Sequence, residues 1–504
     1  MRSKKAIKNI ISTLIKQIVM IICGLILPRA IIMAYGSNVN GLTSSITQFL
    51  GYITLLEAGI GPVIKSVLYK PIANKDKNQI QNILKSAEKF FKVVSGIFII
   101  YLIILCFIYP LLVNKEFSFG FTVSLILIIS ISTFAEYFLG MVYRLYLQAE
   151  QKTYVTSNIQ TITIILNTIL SVLLIKFGAS IQIVKLVSAF IFVLRPIAQN
   201  IYVKKKYNIN LKEVDKHYEL KQKWDGLAQH IAAVIHGNTD VTLLTIFVGT
   251  AEVSVYTVYY FVVNGVKNIV EAFTGGIDAS FGDMYAKKEY ENLNRNFKTY
   301  EMFYFTVITI IFTCTLSLIL PFIQVYTKGI TDVNYYRPVF AYLIVISEYI
   351  WAIRLPYSSL TLAVGHFKET RKGAWVEAIS NILVSLILVR KFGIIGVTIG
   401  TIVAMTIRTI EFIYHTSKYV LKRKQIDSYK YITTIIIETL IISKLINFVT
   451  KNVVFDSYVK WIEYAIIVLI ISITIMIFNC IIYKNETKRI IEIIKRNLRK
   501  SKTM

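Results

Sequence analysis

Long apolar runs separated by short polar loops recur from one end of this chain to the other. Each run is about 20 residues or more, and at roughly 1.5 Å of rise per residue a helix of that length crosses a hydrocarbon layer of about 30 Å. The pattern predicts fourteen membrane-spanning helices, at 10–34, 41–66, 89–113, 120–147, 154–176, 181–202, 226–249, 253–279, 300–323, 338–363, 373–390, 394–416, 431–450 and 459–483. The first run follows Arg2, Lys4, Lys5 and Lys8 and continues through Pro28 and Arg29 to Tyr35 without a small-residue cleavage site. It reads as the first span rather than as a removable signal.

Composition agrees with lipid as the solvent. The 504 residues are 55% hydrophobic and 17% charged, and the mean hydropathy is +0.59, more apolar surface than a soluble core can hide. A net charge of +27 would point to nucleic acid in a soluble protein, but here the charges sit in short loops. Lys70, Lys75, Lys77 and Lys85, then Lys204 to Lys206 with Lys212, Lys216, Lys221 and Lys223, then Lys287, Lys288 and Arg295, then Lys422 to Lys424 with Arg423, alternate with loops nearly free of base. Basic flanks resist translocation, so the rich loops and both termini are expected in the cytoplasm and the protein in the cell membrane, with no nucleic-acid partner. Cys23, Cys106, Cys314 and Cys480 lie in apolar runs without ligand spacing, so no metal site is expected. The tail 484–504 mixes Lys and Arg with isoleucines at a spacing suited to an anionic lipid surface.

The chain also resembles itself. A shift of about 213 residues sets Gly36 on Gly249 and Ala73 to Asp76 on Ala286 to Glu289; nearby shifts set Glu136 and Tyr137 on Glu348 and Tyr349, and the run 167–178 on 381–393. Each repeat holds six spans, an even number, so the two are parallel. The expected architecture is an all-α integral membrane protein with a six-helix lobe at 1–215, a second at 216–424, two appended helices at 425–483 and a basic tail at 484–504. Two such lobes would leave a cleft, which favours a carrier over a channel.

Charged side chains inside spans cost on the order of 2.5 to 3.5 kcal/mol on insertion scales, so each one demands a partner, a wet cavity or a function. The first span carries Arg29 and the second Glu57 and Lys65, with Gly59, Gly61 and Pro62 between them as a hinge. In the seventh span His236 and Asp240 share a face. The eighth shows a stripe of Asn264, Lys267, Glu271, Gly275 and Asp278, whose simplest reading is a Lys267 to Glu271 pair plus packing. Spans four and ten add Glu136 with Arg144 and, in matching places, Glu348 with Arg354, while Arg195, Arg408 and Glu411 read as interfacial or structural. The cationic members would suit an anionic, phosphate-bearing substrate.

Segment 41–76, segment 238–247 and segment 253–273, with the six plus six plus two layout, resemble a polysaccharide repeat-unit flippase of the Wzx type, in the superfamily that includes multidrug exporters and the lipid II flippase. The resemblance covers nearly the whole chain. It implies a MATE-like fold and export of an undecaprenyl-pyrophosphate-linked oligosaccharide for capsule, exopolysaccharide or another surface glycan, beside a polymerase and glycosyltransferases of the same pathway. It implies diphosphate binding by basic residues of the kind of Arg29, Lys65 and Lys267, with Arg144 and Arg354 as further cations of the cleft. Glu57, Asp240, His236, Asn264, Glu271 and Asp278 are then cleft polar groups or sites of proton or sodium coupling, with no other cofactor. Two other readings compete: an ion-coupled multidrug exporter, and a membrane polymerase or glycosyltransferase built around Asp278 and Asp283, for which the short loops leave little room.

Overall fold

The computed structural model describes residues 2–57, 60–209, 211, 227–273, 278–450 and 455–502. Among them every regular element is helical. The first repeat runs α1 (Arg2–Tyr35), α2 (Ser37–Gly51), a short α3 (Thr54–Glu57), α4 (Ile60–Asn74), α5 (Lys77–Leu112), α6 (Phe119–Ala135), a π-helical turn (Glu136–Gly140), α7 (Met141–Ala149), α8 (Thr153–Lys176) and α9 (Ile181–Tyr207). The second runs α10 (Leu227–Phe247), α11 (Thr250–Ala272), α12 (Asp278–Ala286), α13 (Tyr290–Tyr326), α14 (Pro338–Ala363), α15 (Arg371–Phe392) and α16 (Ile394–His415), which ends in a π-helical turn (Thr416–Val420). The appended pair is α17 (Ile426–Val449) and α18 (Tyr458–Ile482), and α19 (Lys484–Lys502) forms the basic tail.

Among the described residues helix is found in each of the fourteen expected segments. Among the described residues eleven helices are long and apolar enough to cross a membrane by themselves, and α2 and α3 with α4, bent by 48°, make a twelfth if they are taken as one span. The helices on either side stop at Glu57 and resume at Ile60; of the expected hinge residues, Gly61 and Pro62 lie in α4 and Gly59 lies outside the described residues. Helices α10 and α11 stand where spans seven and eight were expected but carry His236, Asn238, Asp240, Asn264 and Lys267, too much polarity to pass on apolarity alone. Such helices must cover their polar faces with protein or water.

The chain forms two compact units, 1–257 and 258–504. In the first, Leu42, Ile46, Phe91, Phe98, Tyr109 and Leu147 form the buried centre; in the second, α13 is the hub, with Phe297, Tyr304, Phe305 and Phe312 buried along it beside Tyr357 of α14. Large apolar side chains also face outward, as with Ile100, Phe107 and Leu111 on α5 and Ile470, Ile477 and Ile481 on α18, the surface a lipid solvent requires.

The internal repeat is written into the backbone. Positive φ angles occur in pairs: Gly36 (86°) and Gly249 (127°), Lys75 (55°) and Lys288 (61°), Gln151 (58°) and Gly365 (87°), Gly178 (75°) and Gly393 (53°), Asn208 (49°) and Lys422 (52°). Their separations are 213, 213, 214, 215 and 214 residues, and among the described residues only Gly329 has positive φ without a counterpart. Left-handed backbone disfavours side chains other than glycine, so recurrence at Lys75 and Lys288 reports conserved turn geometry rather than a residue preference. The longest helices agree, since α5 and α13 begin 213 residues apart and have 36 and 37 residues.

Candidate functional site

In the first unit the π-helical turn after α6 sets the geometry. Glu136 and Arg144 are eight residues apart, about 80° out of register on a regular helix; the extra residue of a π turn brings them close to the seven-residue spacing that shares a face. Arg144 Nη1 lies 3.0 Å from Glu136 Oε1, and its Nη2 lies 3.8 Å from Glu57 Oε1. Tyr137 donates its hydroxyl to the other Glu57 oxygen at 3.3 Å. One guanidinium thus serves two carboxylates, each about three-quarters buried. Gly140 lets α9 pack against the turn, because a Cβ there would stand 2.6 Å from Cβ of Pro196. Lys65, about one and a half turns into α4, is half-buried and meets no carboxylate among the described residues. Arg29 is half-buried on α1, one residue after Pro28.

A polar seam joins α2 to α10 and the start of α11. Ser45 and Thr245 hydroxyls meet at 2.6 Å, Tyr52 and Thr242 at 2.8 Å, Asn40 donates to Ser254 at 2.8 Å, and Gln48 donates to the Gly237 carbonyl at 2.7 Å. Gly41 sits where a Cβ would overlap the Thr250 carbonyl, so the two backbones touch. Glu116, in the loop after α5, accepts from the Thr250 amide at 3.2 Å and from its hydroxyl. Asp240 is buried on α10 and accepts from Tyr256 at 2.9 Å. The side chain of His236 lies outside the described residues.

The second unit places its cations differently from the simplest expectation. Lys267 does not close on Glu271, one turn along α11; its Nζ lies 3.3 Å from Glu348 Oε2 on α14, and 4.2 Å from the ring centre of Trp351. Glu271 is exposed. Glu348 is only 4% exposed and no hydrogen bond reaches its Oε2, so the ammonium approaches off the hydrogen-bond direction. Arg354 does not meet Glu348 either, because six residues on a regular helix turn it some 240° away. It pairs with Glu377 of α15 at 2.6 Å. Glu377 also lies 3.4 Å from Arg408 Nε on α16, and Arg408 reaches Glu411 and the Thr370 carbonyl. Arg408 is 1% exposed, a buried structural strut and not an interfacial group. Asn264 is half-buried on α11. The polar stripe is divided: α11 ends at Ala272, Gly275 and the side chain of Asp278 lie outside the described residues, and α12 begins at Asp278.

The repeats therefore use the same spans with opposite signs. In the first, an acid of span two (Glu57) meets a base of span four (Arg144); in the second, a base of span eight (Lys267) meets an acid of span ten (Glu348). Sequence reading did not single out Glu377 or Trp351. The available signal for Glu377 was one carboxylate in an apolar run, and for Trp351 its place three residues after Glu348. Among the described residues no group of three or more His, Cys, Asp or Glu is disposed to hold a metal ion.

No family model matches the sequence, and no curated protein matches it. Solved structures do. The lipid II flippase MurJ in an inward closed conformation superposes with a TM-score of 0.71 at 16% identity, covering 95% of this chain and 99% of that one. A multidrug resistance MATE family transporter of the MOP superfamily, inward-facing, gives 0.59 at 14% identity and covers 82% and 98%. The Vibrio cholerae MATE transporter VcmN in its bent form gives 0.52 at 15% identity and covers 85% and 99%. The chain has the fold these flippase and transporter structures share.

Proposed function

We propose that this chain is a flippase that carries an undecaprenyl-pyrophosphate-linked oligosaccharide from the inner to the outer leaflet for surface glycan synthesis, by exposing its membrane-embedded charges alternately to the two sides. The observation that carries the reading is the basic side chain set inside the membrane of each unit, on a fold resembling a lipid II flippase over 95% of the chain. Diphosphate is bound best by Lys and Arg, whose charge-assisted hydrogen bonds are roughly twice as strong as neutral ones.

The pairing distances rank the candidate ligands. Among the described residues Lys65 has no carboxylate to surrender. Lys267, off the hydrogen-bond direction, and Arg144, at 3.8 Å from Glu57, hold their acids loosely enough to exchange one for phosphate. Arg354, at 2.6 Å from Glu377, holds its acid tightly and is the least ready of these cations to take a phosphate. Arg29 completes the set on α1. Glu57 or Asp240 would take a proton or sodium ion as the partners exchange.

A second reading, an ion-coupled multidrug exporter, draws on the MATE likeness. It is weaker because the MATE structures leave 15% or more of this chain uncovered, against 5% for the flippase, and because Lys65, which meets no carboxylate among the described residues, would repel a cationic drug. The test is transfer of a fluorescent undecaprenyl-pyrophosphate oligosaccharide in proteoliposomes holding the full chain. Transfer that falls at least tenfold in Lys65→Ala and Lys267→Ala supports the proposal. Movement of a cationic dye with no transfer of the glycan lipid overturns it.

A further inference from the structure

A cavity of about 720 Å³ opens at the lysine-rich end of the first unit, away from the buried ion pairs. It is lined by Lys5 of α1, Tyr69 of α4, Lys75 in the turn after α4, Lys77 at the start of α5, Glu150 in the turn after α7 and Tyr207 at the end of α9. Five transmembrane segments and two tight turns build it, so its shape is fixed by the fold. Both turns carry a non-glycine residue in left-handed backbone, Lys75 and Gln151.

Its charge is unbalanced. Lys5, Lys75 and Lys77 face one carboxylate, Glu150, a surplus of two positive charges among the lining side chains. Glu150 is already engaged, by Lys5 at 3.5 Å and by Lys152 at 3.4 Å. Lys75 and Lys77 are exposed and meet no carboxylate among the described residues. Lys77 is moreover the first residue of α5, the end at which the helix dipole disfavours a cation. Tyr69, about half-exposed, and Tyr207 place aromatic rings with polar tips beside the lysines, the composition of a membrane boundary. Asn9 fastens α1 over the turn, donating to the Gln151 carbonyl at 3.0 Å and accepting from the Tyr154 amide at 2.9 Å.

We infer that this cavity binds the phosphate of an anionic phospholipid headgroup, with Lys75 and Lys77 as its principal ligands and Lys5 and the tyrosines as its walls. Its volume lies in the range of small-molecule sites, about 300 to 1,000 Å³, and its position at the end of the spans leaves the acyl chains in the bilayer. Free phosphate offers the same chemistry without the anchor. Basic residues near an anionic surface are worth about 1 kcal/mol each, so loss of two converts to roughly a thirtyfold loss of affinity.

The test uses the full chain in nanodiscs of phosphatidylcholine with increasing phosphatidylglycerol, reading retained lipid by native mass spectrometry and stability by thermal unfolding. Wild type should retain a phosphatidylglycerol molecule and gain stability as that lipid is added. Lys75→Ala/Lys77→Ala should lose both responses, while Lys204→Ala/Lys205→Ala, which removes equal charge from the exposed end of α9, should keep them. Equal loss in both double variants would reduce the effect to a diffuse basic surface and overturn the site, as would an unchanged response in Lys75→Ala/Lys77→Ala. Inorganic phosphate in discs of phosphatidylcholine alone separates the sources: stabilisation matching that of the lipid would overturn the headgroup in favour of a free anion.

Discussion

Lys267 and Glu348 offer a test in which the two halves of one ion pair have unequal consequences. Replacing Lys267 with Met leaves a carboxylate that is 4% exposed with no cation, and breaking a buried pair from one side typically costs about 3 to 5 kcal/mol. Replacing Glu348 with Gln leaves an ammonium that is 17% exposed and still lies 4.2 Å from the Trp351 ring centre. A partly desolvated cation–π contact retains roughly 1 to 2 kcal/mol of that loss, so Glu348→Gln is expected to cost about 2 to 3 kcal/mol. The double variant should be more stable than Lys267→Met alone, because the stranded charge is gone. The assay is denaturant unfolding of the purified protein in detergent, followed by tryptophan fluorescence and circular dichroism. Equal losses in the two single variants, the reverse order, or a double variant no better than Lys267→Met would refute the claim that Glu348 is buried at the expense of its lysine. The same pair bears on transport. If Lys267 exchanges Glu348 for phosphate, Glu348→Gln should also bind pyrophosphate more tightly than wild type.

Two further outcomes follow from close approaches in the first unit. Gly140→Ala puts a methyl 2.6 Å from Pro196 Cβ and 3.2 Å from Glu136 Oε2, so the π turn must shift; unfolding should show a loss of about 1 to 3 kcal/mol, and a double-mutant cycle between Glu136 and Arg144 should lose most of its coupling energy in that background. Ser45→Cys/Thr245→Cys replaces hydroxyls that meet at 2.6 Å; oxidation should cross-link the seam, detectable by peptide mass spectrometry, and should stop transport reversibly, whereas full-rate transport by the cross-linked protein would show that the seam stays closed throughout the cycle.

Much of the fold was legible because lipid imposes a simple rule: a helix long and apolar enough to span is marked by its own residues, and loop lysines mark its ends. The repeat was legible for a related reason, since turns with fixed backbone geometry, such as those at Gly36 and Gly249 or Lys75 and Lys288, hold their register while the apolar spans between them drift. The pairing of buried charges was only partly legible. Periodicity assigns a side chain to a face of its own helix and says nothing about which helix lies opposite, so Lys267 was read against Glu271 on the same helix although Glu348 is its partner. Where the sequence separation did match a pair, at Glu136 and Arg144, the match depends on a π turn that shows no distinctive composition. Equivalent spans in the two repeats have kept the need for a neutralised charge while exchanging which span supplies the acid and which the base, as Glu57 with Arg144 and Glu348 with Lys267 show. The base sits on span four in one unit and on span eight in the other, so the internal repeat does not make two copies of one cationic position.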